Sequence, residues 1–293
     1  MADKALVLGG GGVTGIAWEI GVLAGLAERG IDLTQADLVV GTSAGSVVGV
    51  DVRSGLSLAD LYQTQTAPVR DSEVVAKMAG RILLRYFTAM TFTRNPVLAR
   101  RRVGKLALTA RTEPEAVRRK VFEDGVPITE WPVGQLKLTA VDTASGDFTV
   151  FDAASGVDLI DAVGASCAVP GIWPPVTIGG KRYMDGGMRS AANIDLALGY
   201  RQVVVIAPLT VGFGVIPSAA SQVRQLTGQG SSVVLIKPDR AAVRAIGRNV
   251  LDPARRAAAA KAGFAQAAIA AAAVAALWSA ERAERAGPAV QPD

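Results

Sequence analysis

The chain has 293 residues, half of them apolar, and carries 31 Lys and Arg against 26 Asp and Glu, a net charge of +5. It contains no histidine and one cysteine, Cys167. This composition excludes an intrachain disulfide and any Ser-His-Asp triad, and it argues against imidazole-rich metal sites, so neither metal nor cofactor is expected. No linker or internal repeat divides the chain, and a single domain over 1–293 in a reduced, cytoplasmic setting is the expectation.

Lys4 precedes an apolar stretch, but four glycines and Glu19 interrupt it, so it is not read as a signal peptide. The predicted elements begin with a strand over Ala5–Leu8, a glycine turn and a helix from Gly15 to Arg29. A second strand over Asp37–Val40 runs into a helix over Ser43–Arg53. Two strand-turn-helix units in succession imply a parallel sheet with helices on its faces, an α/β fold. Thr112 and Glu115 have the spacing of a capping box ahead of another helix. Further strands are expected at 136–141, 148–151, 203–207 and 233–236, with helices near 158–165 and 218–227.

A motif-bearing core over 5–197 is thus followed by C-terminal strands and an Ala-rich helix within 198–286. Residues 262–280 lack charge, but alanine supplies little insertion energy, so a helix packed on the domain is expected rather than a membrane span. Asp252 is its expected N-cap, with Pro253 at the first position. Residues 287–293 read as a frayed tail.

Gly41-Thr42-Ser43-Ala44-Gly45 follows the apolar run Leu38–Val40. Small residues around a serine at a strand-to-helix junction suit a nucleophile elbow, which exposes the hydroxyl on a sharp turn. With no imidazole in the chain, the proton acceptor for Ser43 must be a carboxylate or a lysine. The loop Gly9–Gly15 contains G-x-G-x-x-G at Gly10, Gly12 and Gly15, the pattern of a dinucleotide fingerprint. That reading requires an acidic residue at the end of the second strand, where this chain has Val40-Gly41. An oxyanion hole of backbone N–H groups beside a helix N-terminus fits the neighbouring elbow better. Downstream, Asp185 precedes Gly186 and Gly187. It reads either as an ordinary turn aspartate or as a base whose basicity burial would raise from the usual value near 3.9.

In this order, the glycine loop, the elbow and Asp185-Gly186-Gly187 resemble the patatin-like phospholipase family, and Ala165–Gly171 followed by Pro174-Pro175 resembles the segment preceding that family's catalytic aspartate. The resemblance covers about the first two thirds of the chain. It implies a three-layer α/β/α fold with a mostly parallel sheet, and a lipid acyl hydrolase with a Ser-Asp dyad. By position, Ser43 is then the nucleophile, Asp185 the base, and Gly10, Gly11 and Gly12 the oxyanion hole. Gly15, Gly41, Gly45, Gly186 and Gly187 are the remaining motif glycines. The pH profile is expected to lack a limb near 6.5 and to plateau above the aspartate pKa.

One position departs from the family: Thr14 stands where an arginine or lysine is usual. The loss of that charge leaves phospholipid, lysophospholipid and neutral ester open as substrates. It also leaves open a carboxylesterase or acyl-CoA thioesterase on the same dyad, and a non-catalytic lipid-binding relative.

Residues 81–119 hold ten basic residues against Glu113 and Glu115, a net of +8 in a chain of +5. Ile82, Leu83, Leu84, Tyr86, Phe87, Met90 and Phe92 interleave with them. The segment reads either as a solvated helix face or as a cap for an anionic membrane surface. No nucleic-acid motif accompanies the charge, so a nucleic-acid partner is not expected. Cys167 has no evident basic neighbour and reads as a small buried residue near the site, not a second nucleophile.

Overall fold

The computed structural model describes residues 3–69, 85–86, 88–89 and 91–279. The strands are β1 (Lys4–Leu8), β2 (Leu38–Gly41), β3 (Gln135–Asp142), β4 (Phe148–Phe151), β5 (Val176–Ile178), β6 (Lys181–Asp185), β7 (Gln202–Ile206) and β8 (Ser232–Ile236). Among the described residues they form one sheet in the order β5-β6-β3-β2-β1-β7-β8, with β4 also paired to β3. β3, β2, β1, β7 and β8 run parallel, whereas β4, β5 and β6 join antiparallel at the β3 edge.

The helices are α1 (Gly12–Ala27), α2 (Ala44–Arg53), α3 (Leu58–Thr66), α4 (Pro96–Thr109), α5 (Glu115–Gly125), α6 (Leu159–Ser166), α7 (Ala219–Gly228), α8 (Arg240–Ile246) and α9 (Arg256–Ser279). Successive side chains of a strand point to opposite faces, and here both faces are covered. Leu6, Leu8, Val39, Leu136, Leu138 and Ile206 pack under α1, α2, α6 and α9. Ala5, Val7, Leu38, Val40, Val203 and Val205 pack on the side of α7 and the 190–197 segment. α4 covers Val141 and Met184 through Ala99, Val103 and Ala107. The fold is the expected α/β/α sandwich.

Small residues let α9 lie close on α1. A Cβ at Gly21 would overlap the Ala260 carbonyl, one at Gly25 would lie 2.6 Å from Phe264 O, and one at Gly263 would overlap Trp18 O. Trp18 Nε1 donates to Gln266 Oε1 at 3.2 Å across this contact. Residues 253–279 are long and apolar enough to cross a membrane by length and composition. Along the face toward α1, however, Ala260, Gly263, Ala267, Val274 and Trp278 are buried.

Among the boundaries that differ from the sequence reading, three have a clear local cause. α1 starts at Gly12 rather than Gly15, because Gly12 takes a left-handed φ of 61° and Gly15 N–H closes the first helical bond on Gly11 O at 2.9 Å. The Thr112–Glu115 capping box does not form: Pro114 occupies the N-cap of α5, and the Glu115 carboxylate accepts instead from Thr177 N and Oγ1 at 2.5 and 2.9 Å. Asp252 accepts from Ala254 N at 3.1 Å, capping a short 3-10 turn over Pro253–Arg255 from which α9 continues. Of the apolar residues singled out in the basic segment, Ile82, Leu83, Leu84, Phe87 and Met90 lie outside the described residues, as do Arg81 and the 287–293 tail.

Candidate active site

Ser43 stands between β2 and α2 with φ 53° and ψ −119°. A non-glycine residue at positive φ costs of the order of 1 kcal/mol or more, so surrounding contacts must over-determine it. They do so through small residues. Gly45 N–H donates to Gly9 O at 2.9 Å, bringing the turn against the end of β1, and a Cβ at Gly45 would overlap Leu8 O. A Cβ at Gly41 would lie 2.6 Å from Gly45 O. Ser43 O accepts from Ser46 N at 2.8 Å and Ser46 Oγ at 2.6 Å, and Ser43 N–H donates to Ser166 Oγ at 2.9 Å. With its backbone thus held, Ser43 is half-buried while its neighbours Thr42 and Ala44 are buried.

Asp185 ends β6 and pairs with Ala140 on β3, the strand between β6 and β2. Gly186 allows close approach there, since a Cβ on it would overlap the Thr139 hydroxyl. Asp185 Oδ1 accepts from Gly187 N at 2.7 Å. Burial pushes the carboxyl up from 3.8 to about 6, against the opposing pull of a side-chain hydrogen bond from Ser43 and that of the Gly187 N–H. The sheet therefore brings the elbow serine and a buried, basic carboxylate together. Desolvation thus moves this carboxyl into the range usually occupied by histidine.

The glycine loop divides its amides. Gly10 N–H donates to Ala191 O at 2.7 Å, so the expectation that it serves the oxyanion is corrected: the 190–193 turn has taken that donor. Among the described residues nothing accepts from Gly11 N–H or Gly12 N–H at the α1 N-terminus. Gly11 could carry no side chain, because a Cβ would lie 2.6 Å from Pro208 Cβ and 2.8 Å from Gly15 Cα. Thr14 is fully buried and donates to Val250 O from its N–H at 3.0 Å and its hydroxyl at 3.3 Å. Thus the position at which the family carries a cation here docks the Gly247–Asp252 segment. Glu19, also fully buried, accepts from Gly9 N at 2.8 Å, and burial holds its carboxyl well above the ordinary range.

A buried polar network behind the loops had no motif to announce it. Asn193, at a left-handed φ of 46°, donates to Thr42 Oγ1 at 3.0 Å and Ser190 O at 2.9 Å. Thr139 Oγ1 donates to Thr42 Oγ1 at 3.0 Å. Asn193 Nδ2 also donates to Gly186 O at 3.3 Å, so these bonds tie the residues that follow β2 and β6 to the middle of β3. Cys167 is buried beside the elbow, with its thiol donating to Ser43 O at 3.2 Å. Burial, with Asp185 adding to it, pushes the thiol up to about 12 despite the opposing charge of Arg118, a basic neighbour that the sequence did not reveal.

A sequence profile described as patatin-like phospholipase matches residues 6–198. Among solved structures, VipD from Legionella pneumophila aligns with a TM-score of 0.47 at 15% identity, covering 93% of this chain and 67% of its own. The type III effector ExoU aligns with a TM-score of 0.42 at 16% identity, covering 93% of this chain. This chain spans 53% of the length of that effector. The profile match takes in the glycine loop, the elbow and the Asp185 turn together, over well more than half of the residues. The chain belongs to the patatin-like phospholipase family.

Proposed function

We propose that this protein hydrolyses acyl esters of phospholipids or lysophospholipids through a Ser43–Asp185 dyad. Membership of the family supports lipid acyl hydrolysis in general. The observation that carries the finer reading is the strained, half-buried Ser43 facing a buried carboxylate raised to about 6, in a chain without histidine. In the first step Ser43 Oγ bonds to the ester carbonyl carbon as its proton passes to Asp185. Gly187 N–H occupies Oδ1, which leaves Oδ2 to receive it. The N–H groups of Gly11 and Gly12, at the positive end of α1, stabilise the oxyanion. Collapse breaks the ester bond, and the departing alkoxide takes the proton from Asp185. Asp185 then takes a proton from water, whose oxygen attacks the acyl-enzyme; collapse breaks the Ser43 Oγ–acyl bond, the proton returns from Asp185 to Ser43 Oγ, and the fatty acid leaves.

The lipid surface is met through the basic layer. α4 exposes Arg101, Arg102 and Lys105 beside exposed Leu98, Leu108 and Phe92. An open cleft of about 440 Å³ between Arg85, Arg102 and Lys105 is not lined by Ser43 or Asp185 and suits lipid head groups rather than the reacting ester.

The test is labelling of the purified protein with a fluorescent fluorophosphonate, followed by rates on phospholipid vesicles and on short-chain esters. Labelling is expected in the wild type, absent in Ser43→Ala, and reduced at least about a thousandfold in rate in Asp185→Asn. Folded wild-type protein that takes no label, or Ser43→Ala that still does, would overturn the dyad. Turnover confined to short-chain esters would overturn the phospholipid assignment alone.

A further inference from the structure

Arg118 on α5 is a cation in an unusual position. Its guanidinium carbon lies 3.9 Å from the centre of the Trp173 ring and 4.6 Å from that of Phe122, so the planar group is held by two aromatic faces. Such contacts fix the plane of a guanidinium without using its N–H donors. The acidic groups on the surrounding elements are committed elsewhere. Arg119 takes Glu123, Asp158 and Asp161, while Glu115 binds Thr177 and Arg182. Among the described residues no carboxylate pairs with Arg118, and its Nε is enclosed without a partner. Burial lowers its pKa, and the ionisable group that opposes this is Cys167, whose thiol bonds to Ser43 O at 3.2 Å. Trp173 follows the turn whose Cys167 thiol donates to Ser43 O and whose Ala168 O accepts from Asp185 N at 3.0 Å, so Arg118 is stacked on the segment that flanks both residues.

A half-buried guanidinium with an enclosed, unpaired Nε and no counter-ion is costly unless an anion arrives to complete it. The substrate class already proposed carries such an anion next to the ester. Thr14 leaves the usual cationic position of the glycine loop neutral and occupied by Val250 O. We propose that Arg118 is a substrate-binding residue that receives the phosphodiester of the phospholipid head group, supplying from α5 the fixed positive charge missing at position 14. This inference rests on the Ser43–Asp185 reading and names its substrate class.

The experiment compares wild type, Arg118→Lys and Arg118→Gln on two substrates with the same acyl chain, 1-oleoyl-lysophosphatidylcholine and 1-monooleoylglycerol, dispersed in one neutral detergent. Arg118→Gln is expected to lose roughly 10- to 100-fold in kcat/KM on the phosphate-bearing substrate, the size of a lost charge-assisted hydrogen-bond pair, and less than about threefold on the neutral one. Arg118→Lys keeps the charge and the stem but not the fork, and is expected to lower the same ratio by a smaller factor. Arg119→Gln, whose charge is already paired, should leave the ratio unchanged. Glycerophosphocholine should compete against monooleoylglycerol in wild type but not in Arg118→Gln, whereas inorganic phosphate at equal ionic strength should compete in neither; competition by phosphate alone would assign a free-phosphate site and overturn the head-group role. Equal losses on both lipids would show that Arg118 only holds α5 on Trp173, and would also overturn it. Fluorophosphonate labelling separates the dyad from the head-group role. An unlabelled wild type sinks the dyad, whereas labelled variants with unchanged preference sink the role of Arg118 alone. Should Arg118→Gln fail to fold, the Arg118→Lys ratio decides in its place: a lowered ratio supports the head-group role and an unchanged one overturns it.

Discussion

The strand edge bearing Ser43 and Asp185 and the basic layer formed by α4 are built on opposite plans. At the strand edge, position is set by backbone packed on backbone: Gly45 against Leu8, Gly41 against Gly45, Gly186 against Thr139. In the basic layer, α4 buries Ala99, Val103 and Ala107 and leaves Arg101, Arg102 and Lys105 exposed. One region admits no added methyl group; the other tolerates exchange of most of its surface. The contrast teaches that the geometry of the elbow is held by what side chains are missing, whereas the surface of α4 is defined by charges that are present in excess.

Adding one methyl group to the first region is the most severe way to break the contrast. Gly45→Ala places a Cβ on Leu8 O, a backbone atom that cannot swing aside, so strand and helix must separate. Overpacking of this kind costs about 3 kcal/mol or more, and the Ser43 φ that depends on the contact should relax with it. Denaturant unfolding and fluorophosphonate labelling are both expected to collapse. Gly30→Ala, at a φ of 76° but with open space around it, should cost only the roughly 1 kcal/mol of a left-handed alanine and keep its labelling. Equal behaviour of the two variants would show that close backbone approach is not what holds the elbow.

Acidity tests the same region more gently. With its pKa raised from 3.8 to about 6, Asp185 is protonated below that value and cannot accept the Ser43 proton. The rate should fall tenfold per pH unit below about 6 and be flat above it. The sign for stability is the reverse of that for a salt-bridged carboxylate. The folded state binds the proton more tightly than the unfolded chain, so stability is lost as pH rises from about 4 to about 6, by an amount of the order of 3 kcal/mol. Asp185→Asn should therefore melt higher than wild type at pH 8 and match it near pH 3. A variant that melts lower at pH 8 would show that the carboxylate is not held under desolvation strain.

What could be read from the sequence follows the same division. Ser43, Asp185 and the glycines at 41, 45, 186 and 187 are legible because close backbone approach demands one residue type at fixed spacing. The parallel order of β1 and β2 is legible because their apolar runs lead directly into glycine-rich turns. The diversion of Gly10 N–H to Ala191 O was not legible, since it depends on a turn some 180 residues away. The Asn193–Thr42–Thr139 network was hidden for the same reason: polar residues that satisfy one another between a strand and two distant loops leave no period in the sequence. The antiparallel strand β5, three residues long, carries too few side chains to show alternation. Arg118 looked like one more member of a basic run; its stacking on Trp173 and Phe122, its unpaired Nε and the paired state of Arg119 beside it set it apart.

The smallest expected effect lies in the basic layer, and its smallness is the point. Lys105 is exposed on α4 at the edge of the cleft it shares with Arg85 and Arg102. Removing one such charge near an anionic bilayer costs about 1 kcal/mol, so Lys105→Ala should weaken partitioning onto vesicles containing phosphatidylserine about fivefold. Hydrolysis of a soluble short-chain ester should not change, because Ser43 and Asp185 do not line that cleft. The defect should shrink as salt is raised, since a charge of this kind acts over about 10 Å at 0.1 M ionic strength. A loss of equal size on vesicles of neutral lipid would show that the exposed apolar residues Phe92, Leu98 and Leu108, not the charge, carry the contact. A loss of soluble-ester activity would mean that α4 couples to Asp185 through Met184 and Val141, and the two regions would then be one.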